Sequence, residues 1–150
     1  MNTVDVSCEG VEPPGWLDRF IRFALRALDE LDIDSWELSV ILCNDAFIRD
    51  LNFRFRGKDE ATDVLSFPQE LEGRPASTGI FYAGDIVISL DMLRTNALEF
   101  AVGEEEELKR LLVHGILHLA GHDHSDNSPL QPMLELQETI LSRLTEERLF

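Results

Sequence analysis

Ten residues constrain this chain more than any others. Leu111 to Ala120 reads LLVHGILHLA, and its only polar members are His114 and His118. A helix that is apolar on every side has to be buried, so this segment predicts a central helix with other elements packed around it. Histidines four apart project from one face, one turn from each other. A buried imidazole needs a partner for its ring nitrogens, and a single metal ion serves two imidazoles at once. Gly121 then predicts a helix stop, because glycine enters the left-handed conformation cheaply. A chain turned back there brings His124 towards the first two histidines. The pattern H-x-x-x-H-x-x-G-x-x-H offers three neutral imidazoles and leaves a fourth position open for water, as in a catalytic zinc site. A structural zinc site more often closes with cysteine, and Cys8 and Cys43 have no ligand spacing.

The rest of the chain supplies the layers. Val4 to Ser7, Glu37 to Cys43, Asp63 to Phe67 and Ile80 to Ser89 read as strands, the last as one strand or a strand pair. The apolar residues Leu17, Phe20, Ile21, Ala24, Leu25, Leu28 and Leu31 fall at helical spacing after Trp16. Arg19, Arg22 and Arg26 line another face of that helix and read as solvated. A second helix is expected after an Asn44 or Asp45 cap, ending at Gly57. A third follows a Ser89 cap over Leu90 to Phe100. The last two are expected over Glu104 to Ala120 and Pro129 to Arg148, the latter with Ser128 as cap and Pro129 at its first position. Strands interleaved with helices predict a small α+β or α/β layer structure, with one sheet of about four strands. Glu104 to Glu107 open a helix and favour its dipole, and Glu105–Lys109 and Glu106–Arg110 have the spacing of weak surface pairs.

Composition closes off other classes. The 150 residues fit one domain and carry a net charge of −16. That charge opposes whole-surface contact with nucleic acid, and DNA binding is not expected. It leaves room for a local cationic groove. No apolar run is long enough for a membrane span. MNTVDVSCEG lacks the basic and apolar regions of a secretory signal, so a cytoplasmic protein with reduced, buried cysteines is expected.

Against zinc peptidases, the ligand spacing agrees with H-E-x-x-H-x-x-G-x-x-H but position 115 is glycine. The carboxylate that serves as general base there is absent. Glycine at that position is otherwise read as room for close backbone packing.

HGILHLAGHDH resembles the signature of the YbeY family of bacterial metal-dependent endoribonucleases. Leu51 to Pro68, LNFRFRGKDEATDVLSFP, is similar to a second block of that family, and Gly84 to Ser89, GDIVIS, to a third. Taken with the chain length, the resemblance covers most of the protein. The resemblance implies a central sheet of about four strands flanked by helices, and a metal, usually taken as zinc, on His114, His118 and His124. It implies single-strand-specific cleavage in 16S rRNA 3′-end maturation and ribosome quality control in the cytoplasm, with ribosomal RNA and the small subunit as partners. The only departure in the motif is His122, where the family often has tyrosine. His122 is read as a structural or outer residue.

The resemblance gives Arg56 a functional role, and local charge agrees. Arg49, Arg54, Arg56 and Lys58 face only Asp50 within their ten-residue stretch. A guanidinium grips a phosphate with two parallel hydrogen bonds, and Arg56, just before Gly57, is the residue expected to do so. Asp123 can orient a ligand imidazole or accept a proton during hydrolysis. Phe53, Phe55 and Tyr82 can stack on unpaired bases, although aromatic residues at such spacing are more often core. Asp63 and Asp85 can line a cleft or cap turns. Basic ribosomal proteins are expected to meet the acidic surface and present the RNA. The other functional readings are a zinc hydrolase of peptides or small amides, and a ribosome-assembly factor whose metal is structural.

Overall fold

A computed structural model describes residues 1–69, 80–122 and 131–150. In chain order the elements are β1 (Thr3–Glu9), α1 (Leu17–Glu30), β2 (Trp36–Cys43), α2 (Asp45–Arg56), β3 (Val64–Pro68), β4 (Phe81–Ser89), α3 (Leu90–Glu99), α4 (Glu104–Leu119) and α5 (Pro132–Arg143). The architecture is α+β, as expected. One four-stranded sheet has the order β1-β2-β4-β3. β1, β2 and β4 run parallel, and β3 is an antiparallel edge. Ile80 to Ser89 thus yields one strand and not a pair.

Alternation along the strands divides the core. Leu38, Val40, Leu42, Ile86 and Ile88 face a large cluster that takes in α1, α4 and α5. Cys43, Leu65 and Val87 point the other way, onto Ile48, Phe47 and Leu51 of α2. Strands covered on both faces need near-continuous apolar runs, which is why ELSVILC and DIVIS are legible as strands. At Gly84, φ is +135°, and a Cβ there would lie 2.2 Å from the Phe67 carbonyl oxygen. Only glycine fits, and the β2–β4 register shifts beside it.

The central position expected for Leu111 to Ala120 is borne out. Leu112, Val113, Ile116 and Leu117 have no exposed surface. Several local expectations are corrected. In α1 the buried stripe runs through Phe20, Phe23, Ala24, Ala27 and Leu28, so Ile21 and Leu25 flank it instead of filling it. α5 begins at Pro132 with Gln131 as N-cap and ends at Arg143; the expected Ser128–Pro129 start lies outside the described residues. The Glu105–Lys109 pair is no surface pair: its side chains are 19% and 10% exposed. Glu105 also accepts the Leu149 N–H at 2.8 Å, and Lys109 lies 5.4 Å from the Phe23 ring centre. Among the cysteines, Cys43 is buried and burial pushes its thiol up to about 12, whereas Cys8 is only half-buried.

Candidate metal centre

α4 presents His114 and His118 on one half-buried face, and the two rings stand edge to face with Nε2 atoms 3.0 Å apart. The expectation that α4 brings these imidazoles together is met. Nδ1 of His114 lies 2.7 Å from Oε1 of Gln137 on α5. An amide oxygen only accepts, so this contact places the ring proton on Nδ1 and leaves Nε2 with a bare lone pair. That is the state a metal ligand requires. Two nitrogens of a tetrahedral zinc site lie roughly 3.3 Å apart, so a shift of a few tenths of an ångström separates the observed pair from that geometry. The donor set therefore fits zinc.

The helix stop that follows is built as expected. Gly121 has φ +95°. Its N–H bonds the His118 carbonyl at 3.0 Å, and the His122 N–H bonds the Leu117 carbonyl at 2.9 Å. These two bonds form a Schellman cap that ends the helix. His122 is exposed, in keeping with an outer residue. His124 and Asp123 lie outside the described residues.

Gly115 faces the sheet. A Cβ there would meet three carbons of Ile86 at 2.9, 3.0 and 3.1 Å. The close approach is to a side chain and not to another backbone. It lets α4 lie against β4, and the same contact leaves no space for the glutamate of a zinc peptidase.

Gln137, Glu138 and Arg110 support His114, a role that the sequence reading missed. The Gln137 amide nitrogen donates to Glu138 Oε2 at 3.2 Å. Arg110 grips that carboxylate with two bonds, at 3.0 and 2.9 Å, and holds it below the usual carboxylate range. A signal existed in the sequence. Met133, Gln137, Ile140 and Leu144 share one spacing and all are buried, so Gln137 is an amide on a core stripe. A buried amide is costly unless bonded.

Arg56 stands on another element. It is the last residue of α2, exposed, before Gly57 with φ +69°. α2 packs on the sheet face opposite to α4, and among the described residues no hydrogen bond or ion pair joins Arg56 to the histidines. Its neighbours are engaged: Arg49 bonds Asp59 at 2.8 Å and Arg54 bonds Asp50 at 2.9 Å. Arg56 and Lys58 have no such carboxylate among the described residues. Phe53 and Phe55 are 56% and 65% exposed, which corrects the expectation that they are core. Phe55 touches Phe67 edge-on, with ring centres 5.3 Å apart. Tyr82 is half-buried and donates to Asp85 at 2.7 Å; burial first, then that bond, pushes its hydroxyl up to about 12. Asp63 accepts from Asn96 at 3.0 Å, which ties β3 to α3.

The fold is a small α+β domain whose central helix brings two imidazoles together. The sequence model of the family described as endoribonuclease YbeY matches residues 12–145. The endoribonuclease YbeY of Treponema pallidum strain Nichols is 52% identical over 144 residues, which cover 95% of this chain and 90% of the relative. That of Treponema denticola is 52% identical over 143 residues, covering 93% and 92%. Among solved structures, the solution structure of TM1509 from Thermotoga maritima matches with a TM-score of 0.64 at 30% identity, covering 95% of this chain and 90% of that one. The chain belongs to the YbeY endoribonuclease family.

Proposed function

We propose that this chain is a metal-dependent endoribonuclease that cuts single-stranded RNA during 16S rRNA 3′-end maturation and in ribosome quality control in the cytoplasm. Family membership supports RNA as substrate and rRNA processing as setting. The observation that carries the chemistry is the His114–His118 pair, with Nε2 atoms 3.0 Å apart and the His114 proton placed away from the partner. These two residues, with His124, would hold zinc. Zinc supplies Lewis acidity, either to activate water or to polarise a phosphoryl oxygen.

The remaining work falls to the protein. Arg56 carries a charge uncompensated by any described neighbour, so it can bind phosphate with paired hydrogen bonds and neutralise charge that develops during cleavage. Asp123 orients a ligand imidazole or accepts a proton. The attacking group is water or the 2′-OH of the RNA. Gly115, pressed on Ile86, supports phosphodiester over peptide hydrolysis, because the carboxylate base of a zinc peptidase has no place there.

The net charge of −16 makes naked RNA a poor partner beyond the Arg56 end. Basic ribosomal proteins bind the acidic surface and bring the RNA to it. Salt-sensitive binding to small-subunit particles is expected, and tight binding to arbitrary RNA at moderate salt would count against this route. The decisive assay is cleavage of single-stranded RNA by purified protein with and without chelator, with a His114→Ala preparation as control for contaminating nucleases. Chelator-resistant cleavage that exceeds the control's refutes the metal-dependent reading. Chelator-sensitive cleavage absent from the control excludes a non-catalytic assembly factor.

A further inference from the structure

The hydrogen bonds that hold the His114 ring begin on α5. Arg110 fixes the Glu138 carboxylate through two bonds, of 3.0 and 2.9 Å. A carboxylate accepts and does not donate, so the Gln137 amide must turn its nitrogen to Glu138, at 3.2 Å. Its oxygen is thereby aimed at His114 Nδ1, 2.7 Å away. Turning the amide round would set its oxygen against the carboxylate and its N–H₂ against the ring nitrogen. Gln137 is 5% exposed, so water cannot readily compensate for either mismatch.

We propose that Gln137 is a positioning residue that fixes His114 as the Nδ1–H tautomer before any cation binds, and that Arg110 and Glu138 act through it by locking the amide. His114 thereby offers its Nε2 lone pair to a cation without a change of tautomer. The tautomer assignment stands on the hydrogen bonds alone; its link to zinc affinity rests on the proposed metal site.

The test is long-range ¹H–¹⁵N correlation of the histidine rings near pH 8, without metal and then with zinc, beside zinc affinity measured by chelator competition. The expected metal-free pattern is Nδ1–H at His114, and zinc should leave it unchanged. Gln137→Leu should give mixed tautomers at His114 and weaken zinc binding about 10- to 100-fold. Gln137→Glu, which retains an acceptor, should keep the Nδ1–H pattern. If the leucine variant fails to fold, Glu138→Ala carries the test, with mixed tautomers at His114 expected. Nε2–H at His114 in the metal-free protein, or an unchanged pattern in the variant, overturns the proposal. None of these readouts uses RNA, so a protein that shows the pattern and binds zinc but cuts no RNA refutes the nuclease reading and not this one.

Discussion

The histidine face of α4 and the arginine end of α2 solve opposite problems. At α4 the functional nitrogens are half-buried, and each step from Arg110 to His114 is a hydrogen bond between 2.7 and 3.2 Å. At α2, Arg56 is exposed and ends its helix beside a left-handed glycine. A metal ligand must hold its place and tautomer before the ion arrives, and burial with a bonded support does that. A residue that grips a flexible strand gains from a free side chain on a rigid helix end. The rigid centre is therefore expected to govern whether metal binds, and the open end how well substrate is held.

The largest break in this comparison is His118→Ala. It should remove zinc at the affinity of the native site and reduce cleavage to that of chelator-treated protein, as metal analysis and an RNA assay would read. Arg56→Ala comes next. Cleavage should fall about 100-fold with bound zinc unchanged, while Arg49→Ala and Arg54→Ala, whose side chains pair with Asp59 and Asp50, should cost far less. Equal zinc loss in the Arg56 variant would show that the two regions are one site.

A third change acts on stability alone. Gly115→Ala places a carbon 2.9 Å from Ile86. Overpacking costs about 1–3 kcal/mol, and the better helix propensity of alanine returns at most about 1 kcal/mol. A urea midpoint should record a net loss. An unchanged midpoint would mean that α4 and β4 can part without cost.

How much of this was legible in the sequence depends on whether the signal was local. The stop at Gly121 and the caps at Asn44 and Ser89 depend on neighbours within a few residues, and the Asn44 and Ser89 side chains accept from Phe47 and Met92 as such caps should. The centrality of α4 was legible because LLVHGILHLA has no polar face to expose. The role of Gln137 was not, because it requires knowing that α5 packs on α4. Exposure of Phe53 and Phe55 was missed for a related reason: α2 faces its sheet with Ile48 and Leu51, and spacing alone does not say which of several apolar residues a short helix turns inward. Arg56 was singled out from Arg49 and Arg54 by resemblance and local charge. The pairing of the other two with Asp50 and Asp59 supplies a structural distinction.

The smallest effect sharpens the comparison from within the rigid region, where two of the three carboxylates that meet Arg110 shift in opposite directions. Glu107 is 4% exposed, and burial pushes its carboxyl above the usual range, although Arg110 pulls it down; Asp63, Glu106 and Glu138 add to the rise. Glu138 is held below that range, chiefly by its bonds to Arg110. A raised folded-state value means that stability present below the unfolded value, near 4.5, is lost as pH rises through the folded one. A lowered value means that stability is present above 4.5 and is lost as pH falls. Glu107→Gln should therefore raise the melting temperature at neutral pH, with the gain fading towards pH 4. Glu138→Gln should lower it at neutral pH, with the loss fading over the same acidic range. Melting curves of both variants from pH 4 to 8 check the signs, and a Glu107→Gln variant less stable than the parent at pH 7 would mean that its 3.9 Å approach to Arg110 outweighs the cost of burial.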